Sequence, residues 1–233
     1  IAACMEYPHN RPYTADDLVR IITLLRDPVN GCPWDKVQTH TSIRMNFLEE
    51  AYEAVDALDL DDPVLMCEEL GDVLMQVAFH TCMEQETGRF TWEQVCDGVC
   101  QKLIERHPNI FGTQPGYEGI TDWDALKNKE KGRRTLADDL ESVPRAMPAL
   151  MRAAKLQKRA ARHGAALQGA DAAALADAAE NLQTVQPASA QAEQAVGELL
   201  FAAANLARQA GVDPEQALQK ANEAFCTAAG PVA

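Results

Sequence analysis

The sequence predicts an all-α protein, and three observations carry that prediction. Apolar residues recur at helical spacing in successive segments: Leu18, Ile21, Ile22, Leu24 and Leu25, then Phe47, Leu48, Ala51, Ala54, Val55 and Leu58, then Leu70, Val73, Leu74, Val77 and Ala78. Helix-start residues precede two such runs, Thr14 ahead of Asp16 and Asp17, and Thr91 ahead of Val95, Val99 and Leu103. No stretch of useful length has strand character.

In chain order, residues 1–13 are expected to be irregular, with Pro8 and Pro12. The first helix starts at the Thr14 cap and ends near Arg26, because Asp27-Pro28 follows. Asn30 to Asp35 forms a turn-rich loop. Within it Trp34 reads either as a core anchor or, with Lys36, as the lip of a ligand site. Two helices follow, joined around Asp59–Pro63, a connection short enough for an antiparallel hairpin. The second runs through His80, read as a structural or surface residue, toward Glu86, with Gly88 as its C-cap.

The helix after Thr91 places Lys102 and Arg106 one turn apart, a pair suited to phosphate or to solvent. Residues 112–122 are glycine-rich and loop-like. Trp123 to Arg134 reads as a polar, basic helix with Trp123 and Lys127 on one face, able to meet a base and a phosphate or simply to pack. Two prolines mark 136–148 as a linker, and an Ala- and Gln-rich helical region starts near Ala149. The domains expected are 1–135 and 149–233.

The chemistry lies in the hairpin. Glu49-Glu50-Ala51-Tyr52-Glu53 is EExxE and Glu69-Leu70-Gly71-Asp72 is ExxD. Residues three or four apart share a helix face, so Glu50 and Glu53 point together, as do Glu69 and Asp72. Each acid row lies beside an apolar stripe, so docking the stripes brings the acids to one rim. Like charges at this spacing cost a few tenths of a kcal/mol per pair, and a hard divalent cation relieves them. Mg²⁺, which prefers carboxylate oxygens and phosphate, suits this set. The bland alternative is two solvated acidic faces. A di-iron bundle wants Glu-x-x-His, and neither Glu50 nor Glu69 has a His three residues on.

Composition bounds the partners. The 233 residues carry a net charge of −14. That argues against a nucleic-acid backbone as partner, which needs clustered Lys and Arg, but not against a small phosphorylated ligand held through metal. No apolar run approaches a membrane span, and no signal peptide is visible. Ile1 suggests a trimmed start. Seven scattered cysteines, odd in number, read as reduced thiols of a cytoplasmic protein.

The chain also repeats itself. Leu70-Gly71-Asp72-Val73-Leu74 is echoed by Val196-Gly197-Glu198-Leu199-Leu200, with Asp177-Ala178-Ala179-Glu180 upstream where EExxE would stand. Ala195 occupies the position of Glu69. The second copy therefore reads as degenerate, serving packing or dimerisation.

Leu25-Arg26-Asp27-Pro28, Gly31-Cys32-Pro33-Trp34-Asp35-Lys36, Leu48–Glu53, Glu69–Asp72, Gly88-Arg89-Phe90 and Arg106-His107-Pro108 together resemble the MazG family. The resemblance covers most of the chain, since two-domain MazG proteins also carry a second copy. It implies an all-α, usually homodimeric fold with carboxylate helices in a four-helix arrangement. It also implies Mg²⁺-dependent cleavage of nucleoside triphosphates to monophosphate and pyrophosphate, with Mn²⁺ as a substitute ion. By resemblance the metal ligands are Glu50, Glu53, Glu69 and Asp72, with Glu49 close by; Glu49, or a carboxylate not fully used as a ligand, is the group expected to orient or deprotonate the attacking water. A second copy this depleted, lacking also a second cation where Ala224 stands, leaves a catalytically weak nucleotide-binding or regulatory protein as the alternative.

Overall fold

The computed structural model describes residues 5–108, 110–112, 130–132 and 135–230. All regular structure among them is helical. The backbone divides into two compact units, Ile1–Gly119 and Ile120–Ala233, a division upstream of the boundary expected at residue 135.

The first unit contains α1 (Ala15–Leu25), a 3₁₀ turn (Asp35–Val37), α2 (Arg44–Asp59), α3 (Pro63–Glu86) and α4 (Trp92–Arg106). Thr14 starts α1 through a reciprocal capping box. Its hydroxyl accepts from the Asp17 N–H at 3.3 Å, and the Asp17 carboxylate accepts from the Thr14 N–H at 2.9 Å. After Arg26 the chain turns under the Asp27 carboxylate, which accepts from the Val29 and Asn30 amides at 3.0 and 2.7 Å. Gly31 closes this turn. A Cβ there would lie 2.4 Å from the Asp27 carbonyl oxygen and 2.5 Å from that of Leu25, so no other residue fits without moving backbone. Trp34 is 56% exposed. The reading as a core anchor is thereby corrected, because the tight Asp27–Gly31 turn lifts the loop off the core.

The α2–α3 hairpin turns at Leu60–Asp62. Asp62 caps α3 by accepting from the Val64 and Leu65 amides, with Pro63 at the first helical position. α1 and α4 pack against α3, as does α2. The core gathers Ile22, Ile43, Phe79, Cys82, Met83 and Trp92 about the C-terminal half of α3. Glu69 and Asp72 belong to its N-terminal half, away from that cluster. α3 ends at Thr87, and Gly88, just beyond the cap, takes the left-handed φ of 69°.

Arg26 ties the far end of this unit together. It is buried, pairs bidentately with Glu86 at 2.5 and 2.9 Å, and donates to the carbonyls of Asp35 and Gln38 at 2.7 and 3.2 Å. Its guanidinium lies 5.3 Å from the centre of the Phe79 ring.

The second unit contains α5 (Leu136–Glu141), α6 (Ala149–Arg162), α7 (Ala172–Thr184), α8 (Ala190–Gln209) and α9 (Pro214–Ala229). α5 falls inside the stretch expected as a linker, and its packing has an electrostatic cause. Asp139, 1% exposed, meets Arg159 Nη1 at 3.0 Å, His163 Nε2 at 3.2 Å and Arg162 Nη2 at 3.4 Å, which latches α5 onto α6. α7 and α8 form the second hairpin. Four of its five buried positions, Ala178, Ala195, Ala202 and Ala204, are methyl-sized, which lets two backbones approach closely. Two buried amides hold the neighbouring segments: Gln157 donates to the Phe201 carbonyl at 2.8 Å and Asn205 to that of Ala170 at 2.6 Å. The described cysteines are free thiols, and no described helix is long and apolar enough to cross a membrane.

Candidate metal and phosphate site

The hairpin brings Glu50 of α2 and Glu69 and Asp72 of α3 together. One carboxylate oxygen from each lies within 4.8 Å of the other two, and all three side chains are half-buried. Among the described residues this is the one such group of potential metal ligands. Glu49 and Glu53 are exposed and stand outside the trio.

The cluster is electrostatically unfavourable as it stands. Burial, followed by the charges of Asp72 and Glu53, pushes the Glu50 carboxyl above its ordinary value. Glu69 is pushed up by burial first, then by Glu53, Asp72 and Glu68. Glu53 therefore lies close enough to act on both, although it is not a member of the trio. Glu69 Oε2 is shielded from solvent and has no hydrogen-bond donor. A shielded polar atom left so carries a standing cost, greater when it is charged. Hard oxygen donors, accumulated negative charge and an orphaned carboxylate oxygen fit a divalent cation.

Gln76 escapes sequence reading because a buried glutamine on an apolar helix stripe carries no motif. It follows Asp72 by one turn, is buried, and its Oε1 is shielded from solvent with no hydrogen-bond partner. Its side chain opposes the upward shift of Glu50.

Lys102 is exposed near the C-terminal end of α4, and Arg106, the last residue of that helix, is half-buried. Both are on the helix the sequence assigned them. Trp123 and Lys127 lie outside the described residues.

A second polar group lies further along the same face of α3. His80 and His40 stack with ring centres 5.0 Å apart and their Nδ1 atoms at 2.7 Å. Glu84 takes His40 Nε2 at 2.5 Å and Arg89 Nη2 at 2.6 Å. His80 is thus part of a strap joining the loop before α2 to α3. Burial, then the neighbouring His40, holds the His80 imidazole below its ordinary 6.5. A depressed histidine favours the folded state above the unfolded-state value, and that contribution is lost as pH falls through the folded one. The melting temperature of the wild type is therefore expected to drop more between pH 7 and about pH 5 than that of His80→Gln. Calorimetry at both pH values checks this, and equal drops would contradict it.

In the second unit, Asp177, Glu180 and Glu198 are exposed and Ala195 is buried. Glu198 accepts from Gln194 at 2.8 Å. A cavity of about 690 Å³ between α7 and α8 is lined by Asp177, Asn181, Gln194, Glu198 and Phe201, with no comparable carboxylate trio.

A helical hairpin whose two arms bring carboxylates together defines the class: an all-α protein with an acidic cluster suited to a cation. Comparison with known proteins gives the family. Residues 38–111 match the MazG nucleotide pyrophosphohydrolase domain. The chain is 41% identical to a nucleoside triphosphate pyrophosphohydrolase of Escherichia coli K12, over 90% of this chain and 83% of that one. It is 39% identical to the nucleoside triphosphate pyrophosphohydrolase/pyrophosphatase MazG of Thermotoga maritima, over 90% and 82%. It is also 38% identical to the protein YabN of Bacillus subtilis, over 88% of this chain and 43% of that one. The chain belongs to the MazG family.

Proposed function

We propose that the protein hydrolyses nucleoside triphosphates to nucleoside monophosphate and pyrophosphate, clearing unwanted nucleotides from the pool. The observation that carries this reading is the Glu50–Glu69–Asp72 trio with its orphaned oxygen, in a chain similar over nine-tenths of its length to an enzyme named for that reaction.

Glu50, Glu69 and Asp72 hold a divalent cation, Mg²⁺ or in its place Mn²⁺, with Glu53 as a further ligand. The ion supplies charge neutralisation to the triphosphate oxygens. The side chains do the rest. Glu49, exposed beside the trio, takes the proton of the attacking water or orients it. The water oxygen bonds the α-phosphorus, the bond to the bridging oxygen of the β-phosphate breaks, and pyrophosphate leaves. Lys102 and Arg106 hold the β- and γ-phosphates, and Trp123 with Lys127 meets the base end.

Exposed Tyr52 and Val55 on α2, Leu70 and Leu74 on α3, and Val99 and Leu103 on α4 support a homodimer that completes a four-helix arrangement. Free thiols fit a cytoplasmic setting. The weak acid set of the second unit supports its reading as a degenerate copy.

The test is pyrophosphate release from a panel of ribo- and deoxynucleoside triphosphates, with and without Mg²⁺. Metal-dependent release of pyrophosphate and monophosphate is expected. A folded sample that binds nucleotide and releases nothing would instead support a regulatory nucleotide-binding protein.

A further inference from the structure

We infer that the second unit holds a metal-independent binding site for a small phosphate ester of about nucleotide size, in the groove between α6 and the α8–α9 turn. The site uses none of the residues assigned to hydrolysis and stands independently of that reading.

The groove encloses about 640 Å³, within the roughly 300–1,000 Å³ of typical small-molecule sites. Met151, Lys155 and Lys158 follow one another at spacings of four and three, so α6 turns them to one face, and all three line the groove. Arg208, in the last turn of α8, lines it from the other side. Acids outnumber bases 35 to 21 in the chain, yet none of these three cations forms an ion pair among the described residues. Asp213, the one carboxylate of the lining, is spent on its own helix: its Oδ1 accepts from the Glu215 and Gln216 amides at 2.9 and 3.0 Å. The groove is therefore positive, three charges against one, in a chain whose net charge is −14.

Arg208 is also set in place. Its Nε and Nη2 both donate to Asn205 Oδ1, at 3.0 and 2.8 Å. Asn205 is 2% exposed and is itself fixed by donating to the Ala170 carbonyl at 2.6 Å. A neutral amide thus orients the guanidinium without cancelling its charge, and its Nη1 donors have no protein acceptor among the described residues. A fork held this way loses little freedom on meeting a planar or tetrahedral oxyanion. Lys155 and Lys158 add mobile point charges beside it. Three cations suit one phosphate group or two adjacent ones, and fall short of the contacts a nucleic-acid backbone needs. A bare phosphate would leave most of the volume empty. Met147, Met151 and Val212 supply an apolar wall for the organic part of the ligand, two of them with adaptable thioethers.

The test titrates the full chain with adenosine monophosphate, and separately with inorganic pyrophosphate, by calorimetry in excess chelator. Adenosine monophosphate is expected to bind at one site without metal, more weakly as salt is raised. Lys158→Glu, a change on an exposed side chain, is expected to weaken that binding at least about tenfold and to leave the melting temperature in place. Lys155→Gln is expected to weaken it by a similar factor. Lys102→Gln, in the first unit, is expected to leave it unchanged. Absence of saturable binding in chelator overturns the proposal. So does binding that survives both Lys158→Glu and Lys155→Gln, or that disappears with Lys102→Gln, which would assign it to the first unit. Pyrophosphate binding with adenosine monophosphate rejected would show a bare-anion site and overturn the phosphate-ester assignment.

Discussion

Replacing Asp72 with asparagine is expected to lower metal-dependent pyrophosphate release by about a thousandfold, corresponding to roughly 4 kcal/mol of transition-state stabilisation. Asp72 supplies one of the three carboxylates that converge within 4.8 Å, and α3 contributes it alongside Glu69. Asparagine keeps the size and one acceptor oxygen but removes the charge. The same change should not weaken the metal-free fold. Asp72 is among the charges that push Glu50 and Glu69 upward, so its neutralisation relieves repulsion in the folded state. Activity and apo stability are therefore expected to move in opposite directions. Circular dichroism melts in the presence of a chelator, together with steady-state rates at saturating Mg²⁺, measure both. Near-normal turnover at ordinary Mg²⁺ concentrations would remove Asp72 from the site.

Arg26→Ala is expected to produce the largest stability loss in the first unit, about 2–4 kcal/mol. The guanidinium serves Glu86, the Asp35 and Gln38 carbonyls and the Phe79 ring at once. Deleting it takes the Arg26 donor from the Gln38 carbonyl, leaves the Asp35 carbonyl with the Gln38 N–H at 3.3 Å, and opens a void beside Phe79. Glu86 is half exposed, so water recovers part of what that carboxylate loses, which keeps the figure below that for a fully buried pair. For a unit of this size the loss corresponds to a drop in melting temperature of roughly 10 °C. Arg26→Lys keeps the charge but cannot fork toward a carboxylate and two carbonyls together, and is expected to recover less than half. A drop of only about 2 °C for the alanine variant would show that the 3₁₀ segment holds its place without Arg26.

The hairpin was legible because its signals are local. Helical spacing, the Thr14 and Thr91 caps and the short acidic turn all lie within a few residues of the structure they specify. The convergence of Glu50, Glu69 and Asp72 followed from the same spacing, since a two-helix hairpin leaves few ways to dock two apolar stripes. Glu53 shows the limit of that reasoning. One turn beyond Glu50 on a straight helix, it stays near the trio electrostatically while its side chain remains exposed. Contacts between distant segments were not legible. Trp34 looked like an anchor because tryptophan usually buries, yet Gly31 and Asp27 fold the loop outward. α5 reads as linker because Pro144 and Pro148 follow it closely, and only Asp139 meeting Arg159 reveals that it packs. His40 and His80, forty positions apart, meet through the docking of a loop that no periodicity describes.

The short turn at Leu60–Asp62 bears on how the cleft comes into being. Glu50 and Asp72 are 22 positions apart in the chain, so their meeting requires closure of one small loop rather than assembly of remote segments. Closure entropy grows slowly with loop length, and low contact order favours fast folding. The acidic cluster should therefore be among the first tertiary features to form, with the Arg26–Glu86 pin, 60 positions apart, following. A cation that binds the closed hairpin and not the open chain would then draw the folding equilibrium forward by mass action. Such an ion would also act as a clasp on the earliest tertiary structure to form in the unit.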